Sequence, residues 1–224
     1  PTSAILEKLK KEMPFWDRTI DLIILTHPEK DHLAGLLDVL KRYKVDNILW
    51  TGVVRDTAEY KEWIDLIQKE KAKIFLTPDV ETLTSGIEPG VVLEILHPIE
   101  SQEGKVLKDS NNTSIVVRLI FNKNSFLFTG DIYKSVEKEL KELDSDVLKV
   151  AHHGSKTSSS EEFISKVSPQ IAIIQVGRDN SYGHPHQETL DTLAEYGINI
   201  LRTDLDGDIK IVSDGNNLKS MPIY

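Results

Sequence analysis

The 224-residue sequence predicts an α/β fold, a sandwich of mixed β-sheets with helices on the outside. Three observations predict it. Short apolar runs alternate with amphipathic stretches along most of the chain, as in strands followed by helices. Residues 90–131 contain strand patterns alone, as in a meander. The alternation then resumes, so we expect a single domain over residues 1–224.

The predicted elements follow in three parts. The first part alternates strands at 20–25, 47–50 and 73–76 with helices at 33–43 and 58–70. The second part has strands at 91–96, 114–121 and 125–129, with Asn122-Lys123-Asn124 as a hairpin turn. The last part has helices at 133–143, 161–167 and 187–196 and strands at 147–150, 171–176, 198–201 and 208–212. Residues 100–112 are polar and predict a long loop, which is often a functional feature.

The composition narrows the class of protein. Lys and Arg number 27 against 36 Asp and Glu, and the net charge of −9 argues against a protein that coats nucleic acid through bulk electrostatics. The absence of cysteine excludes disulfides, thiolate-ligated zinc and a cysteine nucleophile. No apolar run approaches the roughly 20 residues that span a bilayer, so we expect no membrane contact from this segment itself. The chain opens with Pro1 and has no export signal, so we expect it to be part of a longer protein. Any membrane anchor would then lie outside this segment.

The strand at 20–25 leads directly into His27, Glu29, Asp31 and His32. Residues 27, 29 and 31 alternate, so an extended or tightly turned backbone directs their side chains the same way. Imidazole nitrogens and carboxylate oxygens suit a borderline divalent ion such as zinc or manganese. Asp31 alone would be a candidate helix N-cap, but the flanking histidines favour a metal site.

Two later strands end in polar turns of the same kind. Thr129-Gly130-Asp131 places a carboxylate where it can bridge metal ions. His152 and His153 follow the next strand. Adjacent histidines on irregular backbone point in different directions, so we expect one to bind metal and the other to serve as an acid or phosphate donor. The alternative for this pair is a buried structural role.

Two neighbouring segments predict an anion-binding rim. Residues 154–160 offer hydroxyls and Lys156 to an anion, while Ser159 or Ser160 is also a candidate N-cap for the next helix. His184 and His186 follow the strand at 171–176. Loop histidines without a role are common, and the clustering is what favours a site role for at least one of them.

Four motifs, in this order, resemble the metallo-β-lactamase-fold hydrolases, and within them the branch found as the soluble domain of ComEC-type DNA-uptake proteins. They are Thr26-His27-Pro28-Glu29-Lys30-Asp31-His32, Phe128-Thr129-Gly130-Asp131, Val150-Ala151-His152-His153-Gly154-Ser155-Lys156-Thr157-Ser158 and Tyr182-Gly183-His184-Pro185-His186. The resemblance covers residues 21–212 and implies an αββα sandwich. The fold normally begins with an Asp-Val-Gly-Gln-Gly-Asp-like hairpin, and nothing before Asp21 corresponds to it. The resemblance therefore implies a domain without its amino-terminal strands and with an exposed sheet edge.

The resemblance also implies two divalent metal ions, zinc or manganese. One position would be formed by Asp31, His32, Asp131 and His153. The other, weaker position would be formed by His27, Glu29, Asp131 and Asn111 or Asn112. Glu29 departs from the histidine of the superfamily and the usual aspartate of the branch. This oxygen-rich set favours manganese or weakly held zinc.

The implied activity is metal-assisted hydrolysis of a phosphodiester by a nuclease that degrades one strand of incoming DNA. Asp31 would orient the attacking water, whose pKa the metal ions lower. His152, Lys156 and one of His184 and His186 would stabilise the developing charge or protonate the leaving oxygen. The predicted substrate contacts are Asn112, Ser155, His184 and His186.

Two alternatives stay open at this point. One is hydrolysis of a small phosphodiester or another ester, since the sequence shows no aromatic platform for nucleobases. The other is an inactive, truncated domain, which Glu29 and the absent hairpin favour and the retained polar cluster opposes. As part of a ComEC-type membrane protein the chain would be extracytoplasmic, and as a free-standing relative it would be cytoplasmic or secreted.

Overall fold

The structure is a computed structural model and describes residues 3–84 and 89–223. Its helices are α1 Ser3–Glu12, α2 Lys30–Arg42, α3 Ala58–Lys69, α4 Lys134–Glu137, α5 Glu161–Val167, α6 Gln187–Glu195 and α7 Thr203–Asp206. Its strands are β1 Thr19–Leu25, β2 Lys44–Trp50, β3 Lys73–Leu76, β4 Thr82–Leu83, β5 Val91–His97, β6 Val116–Phe121, β7 Asn124–Phe128, β8 Val147–Lys149, β9 Ile171–Ile174, β10 Asn199–Arg202, β11 Asp208–Ser213 and β12 Leu218–Ile223. This mixture confirms the predicted α/β class.

The first sheet contains three parallel strands in the order β1-β2-β3. Helix α2 repeats apolar residues with helical spacing and buries them against this sheet together with α3. Leu33, Ile48 and Trp63 are fully buried in that layer. Full burial of such side chains contributes about 1.5–3 kcal/mol each, and a register slip of one residue would expose the buried set.

The second sheet has the order β10-β9-β8-β7-β6-β5-β4. Strands β7 to β10 run parallel, and the remaining neighbours run antiparallel. The predicted hairpin joins β6 and β7, with Phe121 opposite Asn124 and Asn122 at a φ of 53°. Asparagine tolerates this left-handed conformation better than most residues, which explains its place in the turn. Helices α5 and α6 cover the outer face of the sheet.

The inner faces of the two sheets pack on each other through Leu49, Ile115 and Val117, with Leu22 and Ile24 of β1 beside them. The layers are therefore helix, sheet, sheet and helix, as the αββα sandwich requires. The parallel strands β7 and β8 end at the same edge. The end of β1 meets that edge too, because Ile115 N donates to Thr26 O at 3.0 Å.

Strand β1 pairs with β2 alone within the described part of the chain, so one of its edges has no strand partner there. A groove of about 560 Å³ lies between α1, β11 and the face of β7–β9 that carries Phe126 and Phe128. No helix in residues 3–84 and 89–223 is long and apolar enough to cross a membrane.

The predicted helix at 133–143 is wrong in extent, because α4 ends at Glu137. Leu140 and Leu143 lie in irregular chain and are nevertheless buried in the core. Glu142 has a φ of 54°, which interrupts a helix. The apolar spacing thus reflects burial of a non-helical segment. Helix α1 was not predicted, although Ile5, Leu6 and Leu9 pack on the α2 layer.

Candidate metal centre

Four side chains converge at the edge where β1, β7 and β8 end. They are Asp31, His32, Asp131 and His153, and one potential ligand atom from each lies within 4.8 Å of the others. Asp131 Oδ2 is the centre of the group, 3.2 Å from His32 Nε2 and 3.3 Å from His153 Nε2. His153 Nε2 is also 3.5 Å from Asp31 Oδ2. The structure thus brings together the residues that the resemblance assigned to the stronger metal position.

The first turn of α2 supplies Asp31 and His32, and a tight turn after β7 supplies Asp131. Gly130 in that turn has a φ of +53°, and a Cβ atom there would lie 2.6 Å from Ser114 Cβ. Any other residue would therefore displace the turn. Ser114 completes the support, because its Oγ accepts a hydrogen bond from Asp131 N at 3.0 Å.

The turn after β8 presents the histidine pair in a strained conformation. His152 and His153 have φ values of 48° and 54°, in the left-handed region that non-glycine residues rarely occupy. The conformation directs His153 into the cluster and His152 toward the rim. Gly154 follows with a φ of +80°, and a Cβ atom there would lie 2.6 Å from Pro185 Cβ. Strain held by such close packing is typical of functional sites.

Two buried atoms of the centre have no hydrogen-bond partner, namely His27 Nε2 and Asp131 Oδ1. Leaving a buried polar atom unsatisfied costs about 1–3 kcal/mol. His153 Nδ1 donates to the carbonyl oxygen of Gln175 at 2.7 Å, which directs Nε2 at the cluster. A set of carboxylate oxygens and imidazole nitrogens suits zinc or manganese. The residues of the cluster therefore fit a divalent cation.

The carboxylates of the centre are held in the ionised form. Burial would raise the pKa of Asp131, but hydrogen bonds from His153 and His32 outweigh it and hold the pKa well below its usual range. The hydrogen bond from His153 lowers the pKa of Asp31 to about 2. Burial, followed by the charge of His32, lowers the pKa of His27 to about 3, so that His27 is neutral. These are the forms that bind a cation.

Glu29 is not part of this cluster. Its Oε2 accepts from Arg55 Nη2 at 3.1 Å, and its Oε1 accepts from the Ser110 hydroxyl at 2.7 Å. His27 lies nearer the centre, with Nε2 4.0 Å from Asp131 Oδ2. Of the residues predicted for the second metal position, His27 and Asp131 alone face the cluster in the described chain.

The rim of the centre is formed by three of the predicted histidines. The ring of His184 lies 5.5 Å from that of His152 and 4.9 Å from that of His186, measured between centroids. His186 Nδ1 accepts from Lys156 N at 3.2 Å, and Lys156 is exposed beside them. Burial lowers the pKa of His152, and burial together with the neighbouring histidines lowers the pKa of His184 to about 4.

Two predicted substrate contacts are engaged by the protein. Asn112 Oδ1 accepts from Tyr133 N at 2.8 Å, and its Nδ2 donates to Ser135 Oγ at 3.1 Å. Ser155 is buried, with Oγ 2.9 Å from Thr157 Oγ1. Both are therefore placed to hold the rim in shape.

Three residues that the sequence did not single out lie at or near the centre: Tyr133 and Lys149, and Arg55 through its ion pair with Glu29. The Tyr133 hydroxyl donates to Asp109 Oδ2 at 2.7 Å and accepts from Asn111 Nδ2 at 2.9 Å. Burial and the bond to Asp109 raise the pKa of Tyr133 to about 12. Lys149 Nζ lies 3.9 Å from Asp131 Oδ1. The nearest signal in the sequence was the position of Tyr133 two residues after Asp131; no motif pointed to Arg55 or Lys149.

Comparison with known proteins shows which family the chain is similar to. The family described as the metallo-beta-lactamase superfamily matches residues 15–178. ComE operon protein 3 of Bacillus subtilis is 34% identical over 86% of the chain, and Competence protein ComA of Neisseria gonorrhoeae is 30% identical over 86%. Recombination protein 2 of Haemophilus influenzae is 29% identical over 89% of the chain. The chain spans about a quarter of the length of these relatives, namely 24%, 25% and 23%.

Solved structures with the same fold are more distant in sequence. The metallo-beta-lactamase fold protein YhfI from Bacillus subtilis aligns with a TM-score of 0.53 at 13% identity, over 98% of this chain and 84% of its own. CmlA, a diiron beta-hydroxylase from Streptomyces venezuelae, aligns with a TM-score of 0.54 at 13% identity, over 95% of this chain and 46% of its own. At this identity the likeness concerns the fold alone.

Proposed function

The chain belongs to the metallo-beta-lactamase superfamily of hydrolases, and on that premise we propose that it is a metal-dependent phosphodiesterase that cleaves DNA. The observation that carries the proposal is the cluster of Asp31, His32, Asp131 and His153, whose potential ligand atoms lie within 4.8 Å of one another and suit a divalent cation. The similarity to proteins named for competence and recombination supports DNA as the substrate.

A divalent cation bound in the cluster would supply positive charge that lowers the pKa of an attacking water and stabilises the transition state of the displacement. Asp31 is the member of the cluster most open to solvent, with 64% of its side chain exposed. Its ionised carboxylate is therefore placed to accept a hydrogen bond from a water at the mouth of the site and orient it toward phosphorus.

The rim would bind the phosphodiester. Lys156 supplies an exposed positive charge, which suits an anionic substrate that binds transiently. The lowered pKa of His184 keeps it neutral near pH 7, so its ring can donate a hydrogen bond to the charge that develops on the phosphoryl oxygens, and His152 lies beside it. A net charge of −9 is compatible with this local arrangement, because a few contacts suffice for a transient complex.

Since the relatives are about four times longer, we also propose that the chain acts as the hydrolytic domain of a longer protein of DNA uptake. DNA handed to it by the rest of such a protein would reach the rim as a single strand or a duplex. An isolated preparation of this chain tests the chemistry without the remaining segments.

The test is hydrolysis of end-labelled single-stranded and double-stranded DNA with Mn²⁺ or Zn²⁺, beside bis(p-nitrophenyl) phosphate. Asp31→Asn keeps the shape of the side chain and removes its charge, and we expect activity on DNA to fall by about 100-fold or more. Asp38→Asn is the matched control, because Asp38 lies on the same helix outside the cluster. We expect it to retain activity.

Three results would count against the proposal in different ways. Cleavage of bis(p-nitrophenyl) phosphate but not of DNA would indicate that the natural substrate is a small phosphodiester. Absence of all hydrolysis in metal-loaded protein would favour an inactive domain. Equal activity of Asp31→Asn and wild type would remove Asp31 from the chemistry.

A further inference from the structure

We infer that the protein by itself retains one divalent cation, bound by Asp31, His32, Asp131 and His153. Two residues that the resemblance implied for a second ion lie instead beside the chain's own cations, Glu29 beside Arg55 and Asp131 beside Lys149. The inference rests on the metal requirement of the proposed function and departs from its expected pair of ions.

The first step concerns Glu29, the acid expected to hold the second ion. Both of its carboxylate oxygens are engaged, Oε2 by Arg55 and Oε1 by the buried Ser110 hydroxyl. Only 16% of the Arg55 side chain and 26% of the Glu29 side chain are exposed. Turning Glu29 toward the cluster would leave a largely buried guanidinium and a buried hydroxyl without their acceptor, which is strongly unfavourable.

The second step concerns what Arg55 does with its remaining donors. Its Nη1 donates to the carbonyl oxygens of Leu107 and Lys108, at 2.6 and 2.5 Å. Glu29, Arg55 and these carbonyls thus form a clamp that fastens the long loop of residues 100–112 beside the centre. In this arrangement Glu29 positions the loop, and the positive charge next to it is already supplied by the protein.

Of the asparagines offered as alternative ligands, Asn112 is engaged at both ends of its amide and Asn111 at its amide nitrogen. Asn112 bonds Tyr133 N and Ser135 Oγ with both ends of its amide. Asn111 directs its Nδ2 at the Tyr133 hydroxyl, 2.9 Å away, and toward His152 Nε2 at 3.5 Å. An amide nitrogen is a donor and presents no lone pair to a cation.

The last step concerns the second oxygen of Asp131, which a bridging carboxylate would offer to a second ion. Lys149 Nζ lies 3.9 Å from this Oδ1. It is fixed there by the carbonyl oxygens of Gly130 and Val150, at 3.3 and 3.4 Å, and its side chain is 16% exposed. A divalent ion on the same oxygen would face this ammonium across a short, poorly solvated gap, where repulsion is strong.

What is left for a second ion is His27 Nε2 together with the shared Asp131. Two protein ligands beside a fixed ammonium are fewer than the three or four with which proteins usually hold zinc. The cluster of Asp31, His32, Asp131 and His153 supplies four. The geometry therefore gives the protein one retentive site.

The test is the number of ions that the metal-free chain takes up, measured by calorimetric titration with Mn²⁺ and Zn²⁺ and by elemental analysis after desalting. We expect one ion per chain in wild type. Glu29→Gln should also bind one, within about threefold of the wild-type affinity, since the amide oxygen can still accept from Arg55 and the amide nitrogen can donate to Ser110 Oγ. Asp31→Asn should weaken binding by about tenfold or more, because it removes a ligand.

Two ions per wild-type chain, or a loss of stoichiometry in Glu29→Gln, would overturn the inference and leave DNA cleavage untouched. One ion per chain with no hydrolysis of any substrate would contradict the proposed function and support the single metal site. Failure of the wild type to take up any ion would overturn both.

The clamp has its own readout, which does not depend on metal. Arg55→Met removes the guanidinium, and we expect amide hydrogen exchange in residues 105–112 to rise while the stoichiometry stays at one ion. Arg42→Met is the control, because Arg42 is exposed at the end of α2. Unchanged exchange in Arg55→Met would show that Arg55 does not hold the loop.

Discussion

His153 is the residue at which protons and metal compete. Burial would lower its pKa, but hydrogen bonds with Asp131 and Asp31 outweigh this effect and raise the pKa to about 9. In the metal-free protein His153 therefore carries a proton at pH 7.5, and a bound cation must displace it from Nε2. We expect metal binding at pH 7.5 to release about one proton, measured by titration calorimetry in buffers of different ionisation enthalpy.

The direction of the His153 pKa shift also determines the pH range over which protonation stabilises the metal-free protein. Because the folded-state pKa of His153 lies above the ordinary value of 6.5, the stability it contributes to the metal-free protein is complete below that value. It is lost as the pH rises through about 9. Proton release on metal binding should vanish over the same range, and a binding heat that is independent of buffer at pH 7.5 would contradict the assignment.

Tyr182 is an exposed aromatic residue beside the rim, where it can contact a nucleobase. Its side chain is 77% exposed, and its ring lies nearly parallel to that of His184, with centroids 5.7 Å apart and planes at 22°. Stacking of a base on an aromatic ring contributes about 1–3 kcal/mol. We expect Tyr182→Ala to weaken binding of a thymidine oligonucleotide about fivefold or more, measured by fluorescence anisotropy in the presence of a chelator.

An abasic oligonucleotide separates stacking from other effects, since its backbone is the same and it has no bases. Its affinity should not change in Tyr182→Ala. Tyr196→Ala is the matched control, because Tyr196 is exposed at the far end of α6 from the rim. Equal losses for both oligonucleotides would mean that Tyr182 shapes the rim without stacking.

At the scale of elements, Glu137 joins α4 to the start of α5 and to the loop that carries Lys156. Its buried carboxylate accepts from Ser159 N at 2.5 Å, from Ser160 N at 2.9 Å and from Ser160 Oγ at 2.8 Å. Glu137→Gln would place an amide donor against these donors, and we expect a loss of about 1–3 kcal/mol in the free energy of unfolding. Urea unfolding measures it, with the exposed Glu139→Gln as control. Similar midpoints for the two variants would contradict this role.

Which elements the sequence predicted depends on how local their signal is. The alternating runs of β1, β2 and α2 carry their own period, so their positions were found within a few residues. The segment at 138–146 carries a helical spacing of leucines, yet tertiary burial and the positive φ of Glu142 decide its path. Propensity and spacing cannot register such a constraint.

At the metal centre, too, features with a local sequence signal were predicted and features that depend on tertiary contacts were not. His27, Asp31, Asp131 and the pair His152 and His153 were predicted because each follows a strand, and the strand ends meet at one edge. The choice of His153 as the ligand came from the family resemblance. The environment of Glu29 was not predicted, because Arg55 lies 26 residues away in a connection without any motif. A ligand pattern in sequence gives residue types and spacing, and it omits the cations that the fold brings beside them.

At the scale of the whole molecule, the centre joins the two halves of the sandwich. Asp31 and His32 belong to the helix that covers the first sheet, whereas Asp131 and His153 belong to turns of the second sheet. Only the folded chain brings the four side chains together. A cation that binds this state and not the unfolded chain stabilises the whole fold by mass action.

We therefore expect metal to raise the melting temperature of the entire domain in one transition. At 100 times the dissociation constant the stabilisation is about 2.7 kcal/mol, which corresponds to about 5–10 °C for a chain of this size. Differential scanning calorimetry of wild type with Mn²⁺ and with a chelator measures the difference. Asp38→Asn should show the same rise, and Asp31→Asn should show little of it. A melting temperature that is the same with metal and with chelator would mean that the cluster does not hold a cation, because ligand binding confined to the folded state cannot leave its stability unchanged.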